Sequence, residues 1–186
     1  MKWTLKNGAT VYAIVTDEIT QRQFTDYYSQ WLPLLIENKA TDRTWNWEEF
    51  QNNCKQCLTK NIYSVDCGGH LQGLMLIDKA SHRSRMEPNQ HIVHIDFLAV
   101  APRSRFPGPQ EYRCIGTILF LVAILVSREE EFAGRVCLHA LRSAAPWYRK
   151  LKMQSFGIDA DYQNLEYFEL SRTAADNMFH VFFPDK

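Results

Sequence analysis

The stretch His91-Ile92-Val93-His94-Ile95-Asp96-Phe97-Leu98-Ala99-Val100-Ala101-Pro102 decides the fold, together with the run from Tyr112 to Phe132 that follows it. β-Branched and aromatic residues crowd 92–100, and Pro102 closes the run, so the segment reads as a strand. A period of two puts His94, Asp96, Leu98 and Val100 on one face and Val93, Ile95, Phe97 and Ala99 on the other. Both faces are largely apolar, which predicts a strand covered on both sides. A carboxylate there is costly unless it is paired or has a task.

Further on, Tyr112-Arg113-Cys114-Ile115-Gly116-Thr117 leads into an apolar run from Ile118 to Val126, closed by Ser127-Arg128-Glu129-Glu130-Glu131. The run is far short of the roughly 20 residues that a membrane span needs. From Thr117 to Phe132 it is long for a strand, and it reads as a buried helix. A strand, a basic glycine-bearing turn and a helix, in that order, aim backbone N–H groups and a positive helix end at an anion.

Three runs carry a family resemblance: Asp96-Phe97-Leu98-Ala99-Val100, Tyr112-Arg113-Cys114-Ile115-Gly116-Thr117-Ile118-Leu119, and Ala145-Pro146-Trp147-Tyr148-Arg149-Lys150-Leu151. Over residues 62–170 the chain resembles the GNAT superfamily of acyl-CoA-dependent N-acyltransferases. The resemblance implies an α+β fold, a central mixed, mostly antiparallel sheet flanked by helices on both faces, with 1–186 as a single domain. It implies an acetyltransferase with acetyl-CoA as cosubstrate and an amine as acceptor, transferring directly in a ternary complex. In such a site Asp96 is the base, the backbone of Leu98, Ala99 and Val100 meets pantetheine, and the Leu98 N–H faces the oxyanion. Arg113, Cys114, Ile115, Gly116 and Thr117 hold the pyrophosphate, and Tyr148 protonates the departing thiolate. Cys114 stands where the family usually has glycine, Lys152-Met153 replaces Gly-Phe, and Leu141 replaces a frequent Asn. The altered turn motivates a reading from another class, a non-catalytic GNAT-like module that binds CoA or a protein partner.

The residues themselves leave alternatives open. Acyl transfer to an amine needs a base, an oxyanion donor and an acid for the thiolate. His94, two residues from Asp96 on the same face, could serve as base instead, and Asp96 could be a structural acid. Tyr148 could be an amphipathic aromatic at a helix edge, and His139 a satisfied strand histidine. The aromatics of the early helices either line an acceptor pocket or belong to the core.

Composition sets outer bounds. The 186 residues suit one domain with a full core. Balanced charge, 21 basic against 21 acidic residues, gives no global field for nucleic acid or an anionic membrane. The first residues lack a signal-peptide pattern, so a cytoplasmic protein is expected, as monomer or homodimer. Five cysteines without scaffold spacing fit a reducing compartment. Cys54 and Cys57 form one C-x-x-C, with no second pair to complete a zinc site, so no metal is expected. Phosphate-loop, nucleophile-elbow and H-E-x-x-H motifs are missing.

Along the chain, Ala9 to Thr16 reads as a first strand, with Thr16-Asp17 as a cap for a helix from Gln21 to Glu37 that Pro33 kinks or breaks. A second helix starts at Thr41 or Asp42 and runs through Cys54. Ile62–Asp66 and Leu71–Ile77 are strands joined at Gly68-Gly69. Lys79 to Gln90 reads as a polar surface loop, and Arg103 to Gln110 is irregular, its Arg103 and Arg105 either meeting phosphates or solvated. Arg135–Ala140 is a strand, Ser143 caps a short helix with Pro146 in its first turn, Tyr162–Leu170 is a strand, and Ser171 caps a last helix.

Overall fold

The structure is a computed structural model and describes residues 2–4, 10–106 and 112–182. Its strands are β1 (Lys2–Thr4), β2 (Thr10–Thr16), β3 (Lys60–Cys67), β4 (His70–Asp78), β5 (Val93–Val100), β6 (Val136–Ala140), β7 (Gln154–Asp159) and β8 (Leu165–Leu170). Its α-helices are α1 (Gln21–Asp26), α2 (Leu32–Glu37), α3 (Trp47–Cys54), α4 (Ile115–Glu129), α5 (Ala145–Lys150) and α6 (Arg172–Phe182). The strand order is β1-β2-β3-β4-β5-β6-β8-β7. Pairing is antiparallel for β1–β2, β2–β3, β6–β8 and β7–β8, and parallel for β5–β6. This is the mixed, mostly antiparallel α+β arrangement that the sequence led us to expect.

The described residues fall into two compact units. One runs up to Leu76 and takes in Phe97 to Leu119. The other comprises Ile77 to Asp96 and everything from Phe120 onward.

In the first unit, Gly68 and Gly69 hold φ of +59° and +81°, the left-handed backbone that a two-residue hairpin turn demands. The helix expected from Gln21 to Glu37 is there, divided by a π-helical turn over Tyr27–Trp31. Pro33 follows directly, and its missing N–H could not have continued a regular ladder. The start is set by Thr20, whose side chain forms a capping box with Gln23, and not by Thr16-Asp17. The next helix is also shorter than expected. Residues Thr41–Thr44 form a 3-10 turn, and α3 begins afresh behind Asn46, whose side chain accepts from Glu49 N. Cys57 lies beyond its end. Tyr27, Trp31, Leu35 and Trp47 are buried in one cluster with Leu74 and Leu76 of β4 and Ala99 of β5, so this part of the aromatic stripe is core.

Neighbouring β4 residues show how both faces of the strand are covered. Leu74 and Leu76 join the cluster of the early helices, whereas a Cβ on Gly73 would lie 2.8 Å from Ile115 Cγ2 and 3.0 Å from Leu119 Cδ1 of α4. Successive strand residues point to opposite faces, so helices lie on both. Ile118 N donates to Cys114 O, which starts α4, and Cys114 takes φ +64° to make that turn. A non-glycine residue in this region is strained by about 1–2 kcal/mol. Arg105 is exposed, and its guanidinium donates to buried Asp42 at 2.6 Å.

In the second unit, the expected polar loop from Lys79 to Gln90 proves to be anchored to the sheet. Asp78 opens it by accepting from Ala80 N, Ser81 N and the Ser81 hydroxyl. Glu169 of β8 is 1% exposed and accepts from Ser84 Oγ, the N–H groups of Arg85 and Met86, and the Tyr167 hydroxyl. A buried carboxylate with this many donors ties the loop to β8. Sequence reading also missed β7, which pairs with β8 around an irregularity between Ser155 and Ile158. Tyr162 lies in the connection between these strands, and β8 starts at Leu165. Ser143 caps nothing, since the N-cap of α5 is Ala144 with no side-chain bond, but Ser171 does cap α6 through Ala174 N.

Two substitutions test this packing. Gly73→Val places a branched side chain where even a Cβ meets α4, and overpacking of this kind costs about 1–3 kcal/mol. Its melting temperature should fall, and an unchanged value would show that α4 does not press on β4. Cys114→Gly relieves the left-handed strain, offset in part by added unfolded-chain entropy, for a net gain of about 0.5–1 kcal/mol. It should melt higher by about 1–4 °C in a chain of this length. A lower melting temperature would sink the strained-turn account.

Candidate functional site

The parallel register between β5 and β6 pairs Val93 with Val136, His94 with Cys137 and Ile95 with Leu138. β5 then continues to Val100, beyond that register. Parallel strands stay together only where their backbone groups bond one another. Asp96 is the first β5 residue past the last registered pair, so its carboxylate sits where the two strands cease to be a regular ladder.

Asp96 does not stand alone there. His94 Nδ1 lies 2.7 Å from Asp96 Oδ1, closing the two-residue spacing on one strand face into a hydrogen bond. His94 Nε2 lies 3.0 Å from Nδ1 of His139 on β6. His139 Nε2 lies 3.1 Å from Oδ2 of Asp159 at the end of β7, and Asp159 accepts in addition from the Arg85 guanidinium. Two carboxylates thus bracket two imidazoles in one continuous chain. Its members are largely withdrawn from water, with side-chain exposures of 14% for Asp96, 5% for each histidine and 10% for Asp159.

Aromatic rings cover the chain. His82 stacks on His94 with centroids 4.1 Å apart and planes 15° from parallel. Tyr162 stacks on His139 at 3.8 Å and 4°. Sequence reading had left His82 in a surface loop and had singled out neither Asp159, Arg85 nor Tyr162 for chemistry. A histidine in a polar loop carries no local signal of the strand it will cover. The signal lay in the pairing of His94 and Asp96 at a spacing of two, which needed donors from elsewhere.

Charge states follow from these surroundings. Burial, and then the neighbouring His94, push His82 down to about 4, so it is a neutral ring at physiological pH. His139 is also lowered, with burial the main cause and the bond to Asp159 opposing it. The bonds from His139 and Arg85 hold Asp159 below the usual carboxylate range. Asp78 stays low because its Ala80 and Ser81 donors outweigh its burial. Ligand atoms of His82, His94 and Asp96 come within 4.8 Å of one another. A shared cation would nevertheless have to lie in the planes of two stacked, parallel rings, and both nitrogens of His94 are already engaged.

Tyr148 of α5 is buried among Phe120, Trp147 and Phe168, with centroids 6.5, 4.9 and 6.0 Å away. Burial raises its phenol above the ordinary value, so it is protonated throughout the physiological range. The other expected residues lie in the first unit. Leu98 and Val100 are half-buried on β5, and Ala99 is in the core. Arg113 and Cys114 are exposed ahead of α4, Ile115 is buried, and Gly116 and Thr117 are half-buried in its first turn. That turn holds no acidic residue, and a left-handed residue followed by helical ones turns successive N–H groups to one side. Such a turn offers N–H groups that an anion could accept from. No described helix is long and apolar enough to cross a membrane.

No protein-family profile and no curated protein matches the sequence. Solved structures do share its fold. The chain is similar to FeeM, an N-acyl amino acid synthase from uncultured soil microbes, with a TM-score of 0.60 and 9% identity over 92% of this chain and 97% of that one. It is similar to the histone acetyltransferase HPA2 and related acetyltransferase from Corynebacterium glutamicum, with a TM-score of 0.52 and 19% identity over 84% and 94% of the two chains. It is similar also to the Bacillus subtilis N-acetyltransferase YlbP, solved in complex with coenzyme A, with a TM-score of 0.53 and 11% identity over 86% and 96%. At these identities the likeness is one of fold, a fold also seen in a putative acetyltransferase of the GNAT family from Desulfovibrio desulfuricans, with a TM-score of 0.53 and 9% identity over 87% and 99% of the two chains.

Proposed function

We propose that this protein is an N-acetyltransferase that passes the acetyl group of acetyl-CoA to an amine acceptor, directly and in a ternary complex. The observation that carries the reading is Asp96, held by an imidazole at the point where β5 runs on past its register with β6. A carboxylate with its own proton partner is what a base needs in order to take a proton from an attacking amine. The fold is shared with a coenzyme A-bound N-acetyltransferase, which supports the cosubstrate.

In this reading the amine nitrogen attacks the thioester carbonyl while Asp96 takes the N–H proton. The tetrahedral oxyanion accepts from a β5 N–H, with Leu98 as the candidate donor and the backbone of Leu98, Ala99 and Val100 bordering pantetheine. The C–S bond then breaks, and the thiolate takes the Tyr148 proton. Arg113, Cys114, Ile115, Gly116 and Thr117 would hold the pyrophosphate through backbone N–H groups and one guanidinium. A chain of this fold that acts inside a cell would meet acetyl-CoA in the cytoplasm. Mass spectrometry of products from acetyl-CoA and a broad amine panel tests the reading, and an acetylated amine is the expected result.

A second reading, a non-catalytic CoA-binding or protein-interaction module, draws on two observations. Cys114 strains the turn that glycine would relax, and Tyr148 is buried among aromatic rings with its phenol pushed up. Calorimetric binding of acetyl-CoA without turnover of any amine would favour it.

Asp96→Asn retains size and polarity but cannot accept a proton. With the fold checked by circular dichroism, kcat should fall by about 10²–10⁴-fold, and part of the loss should return at high pH as neutral amine accumulates. A folded variant with wild-type kcat would remove Asp96 from the chemistry. Tyr148→Phe deletes one hydroxyl from a packed ring, so melting temperature and CoA affinity should hold while kcat drops. Normal turnover would leave Tyr148 as a core aromatic.

A further inference from the structure

The chain from Asp96 to Asp159 has a proton count that its geometry dictates. Three contacts join its four side chains: 2.7 Å between Asp96 and His94, 3.0 Å between the imidazoles, and 3.1 Å between His139 and Asp159. Every atom at these contacts carries a lone pair when unprotonated, so each contact needs one proton to be a hydrogen bond. Two neutral imidazoles bring two protons between them. One contact would then oppose bare lone pairs inside a largely water-free site, which is strongly unfavourable. Four protons on the rings would oppose two N–H groups between His94 and His139. Three protons alone satisfy the whole chain.

We propose that His94 and His139 share one excess proton, so that Asp96, His94, His139 and Asp159 ionise as a single unit that keeps Asp96 a carboxylate. The inference rests on the reading of Asp96 as the base and adds three positioning residues to it. At the far end Asp159 is held ionised by His139 and Arg85, so His139 donates there through Nε2 and accepts through Nδ1. His94 must then donate through Nε2, which places the third proton in the short contact with Asp96. Imidazole is the more basic partner of that contact by about two units, so the proton rests on the ring and Asp96 is the anion.

The facing groups leave this count intact. Asp78 from β4 and Arg85 from the following loop bring one charge of each sign. His82 is neutral at physiological pH. Cys137 of β6, Tyr162 and Tyr167 of β8 are all pushed up by burial and stay protonated. His82 and Tyr162 also roof the two imidazoles and keep water from supplying the missing donor. Glu169 of β8 faces Cys137 and is spent on the Tyr167 hydroxyl, Ser84 and two backbone N–H groups.

The test is imidazole ¹⁵N NMR on the full chain, with His94 and His139 assigned by substitution. At pH 7 three of their four ring nitrogens should carry protons, with one strongly downfield N–H in the Asp96 contact. Two bare nitrogens at that pH, one on each ring, would overturn the proposal. Asp159→Asn removes one of the anions that retain the proton, so its loss should shift to lower pH by about one unit or more. The alkaline limb of kcat/KM should move with it while KM for acetyl-CoA holds. A pH profile identical to wild type would also overturn the proposal. Should Asp159→Asn fail to fold, the nitrogen count in the wild-type chain decides alone. The NMR count stands whether or not any amine is acetylated, so the proton unit and the acetyltransferase reading fail separately.

Discussion

The hydrogen bond between His94 and Asp96 is the constraint around which the second unit is arranged. One strand carries an imidazole and a carboxylate inward on the same face, and neither can be left unsatisfied in a site this dry. The carboxylate engages Nδ1, which leaves Nε2 in need of a partner, and His139 on the adjacent strand supplies one. His139 in turn requires Asp159, and Asp159 requires Arg85. Each step pulls a more distant part of the sequence toward β5, until the last partner is an arginine whose side chain reaches solvent. The loop from Lys79 to Gln90 is ordered by this demand and by the matching one of Glu169.

What the sequence disclosed follows the range of the interactions involved. The Gly68-Gly69 hairpin, the β5 strand and the α4 helix rest on neighbours within a few residues, and all three are where local pattern put them. The shared face of His94 and Asp96 was equally local. The partners were not, because Ser84 meets Glu169 across 85 positions and Arg85 meets Asp159 across 74. A polar segment whose donors are spent on such remote acids looks the same in sequence as one solvated by water. β7 was missed for a different reason. Gly157 at φ +83° and the shift beside it break the alternation by which a strand is recognised.

Helix boundaries erred by similar logic. Thr16-Asp17 and Thr41-Asp42 are good capping residues by type, yet Thr20 and Asn46 do the capping. A residue becomes a cap only where the chain turns into the helix at the right angle, and packing sets that angle. Asp42 shows the competing use of such a side chain, since it is buried and paired with Arg105. Arg105 thereby has a carboxylate partner 63 positions away that the sequence alone could not name.

The first unit solves a complementary problem with backbone in place of charge. Gly73 lets α4 approach β4 to within a methyl group's reach, so the helix start is fixed by contact and not by loop preference. Cys114 must then turn through φ +64° to enter the helix, although glycine would do so without strain. A cost of about 1–2 kcal/mol at a solvent-facing turn is tolerated only if the surrounding packing dictates the path. That packing is α4 against Gly73. The N–H groups of the first turn are therefore held in place before any anion arrives, and a ligand that uses them need not order the turn itself.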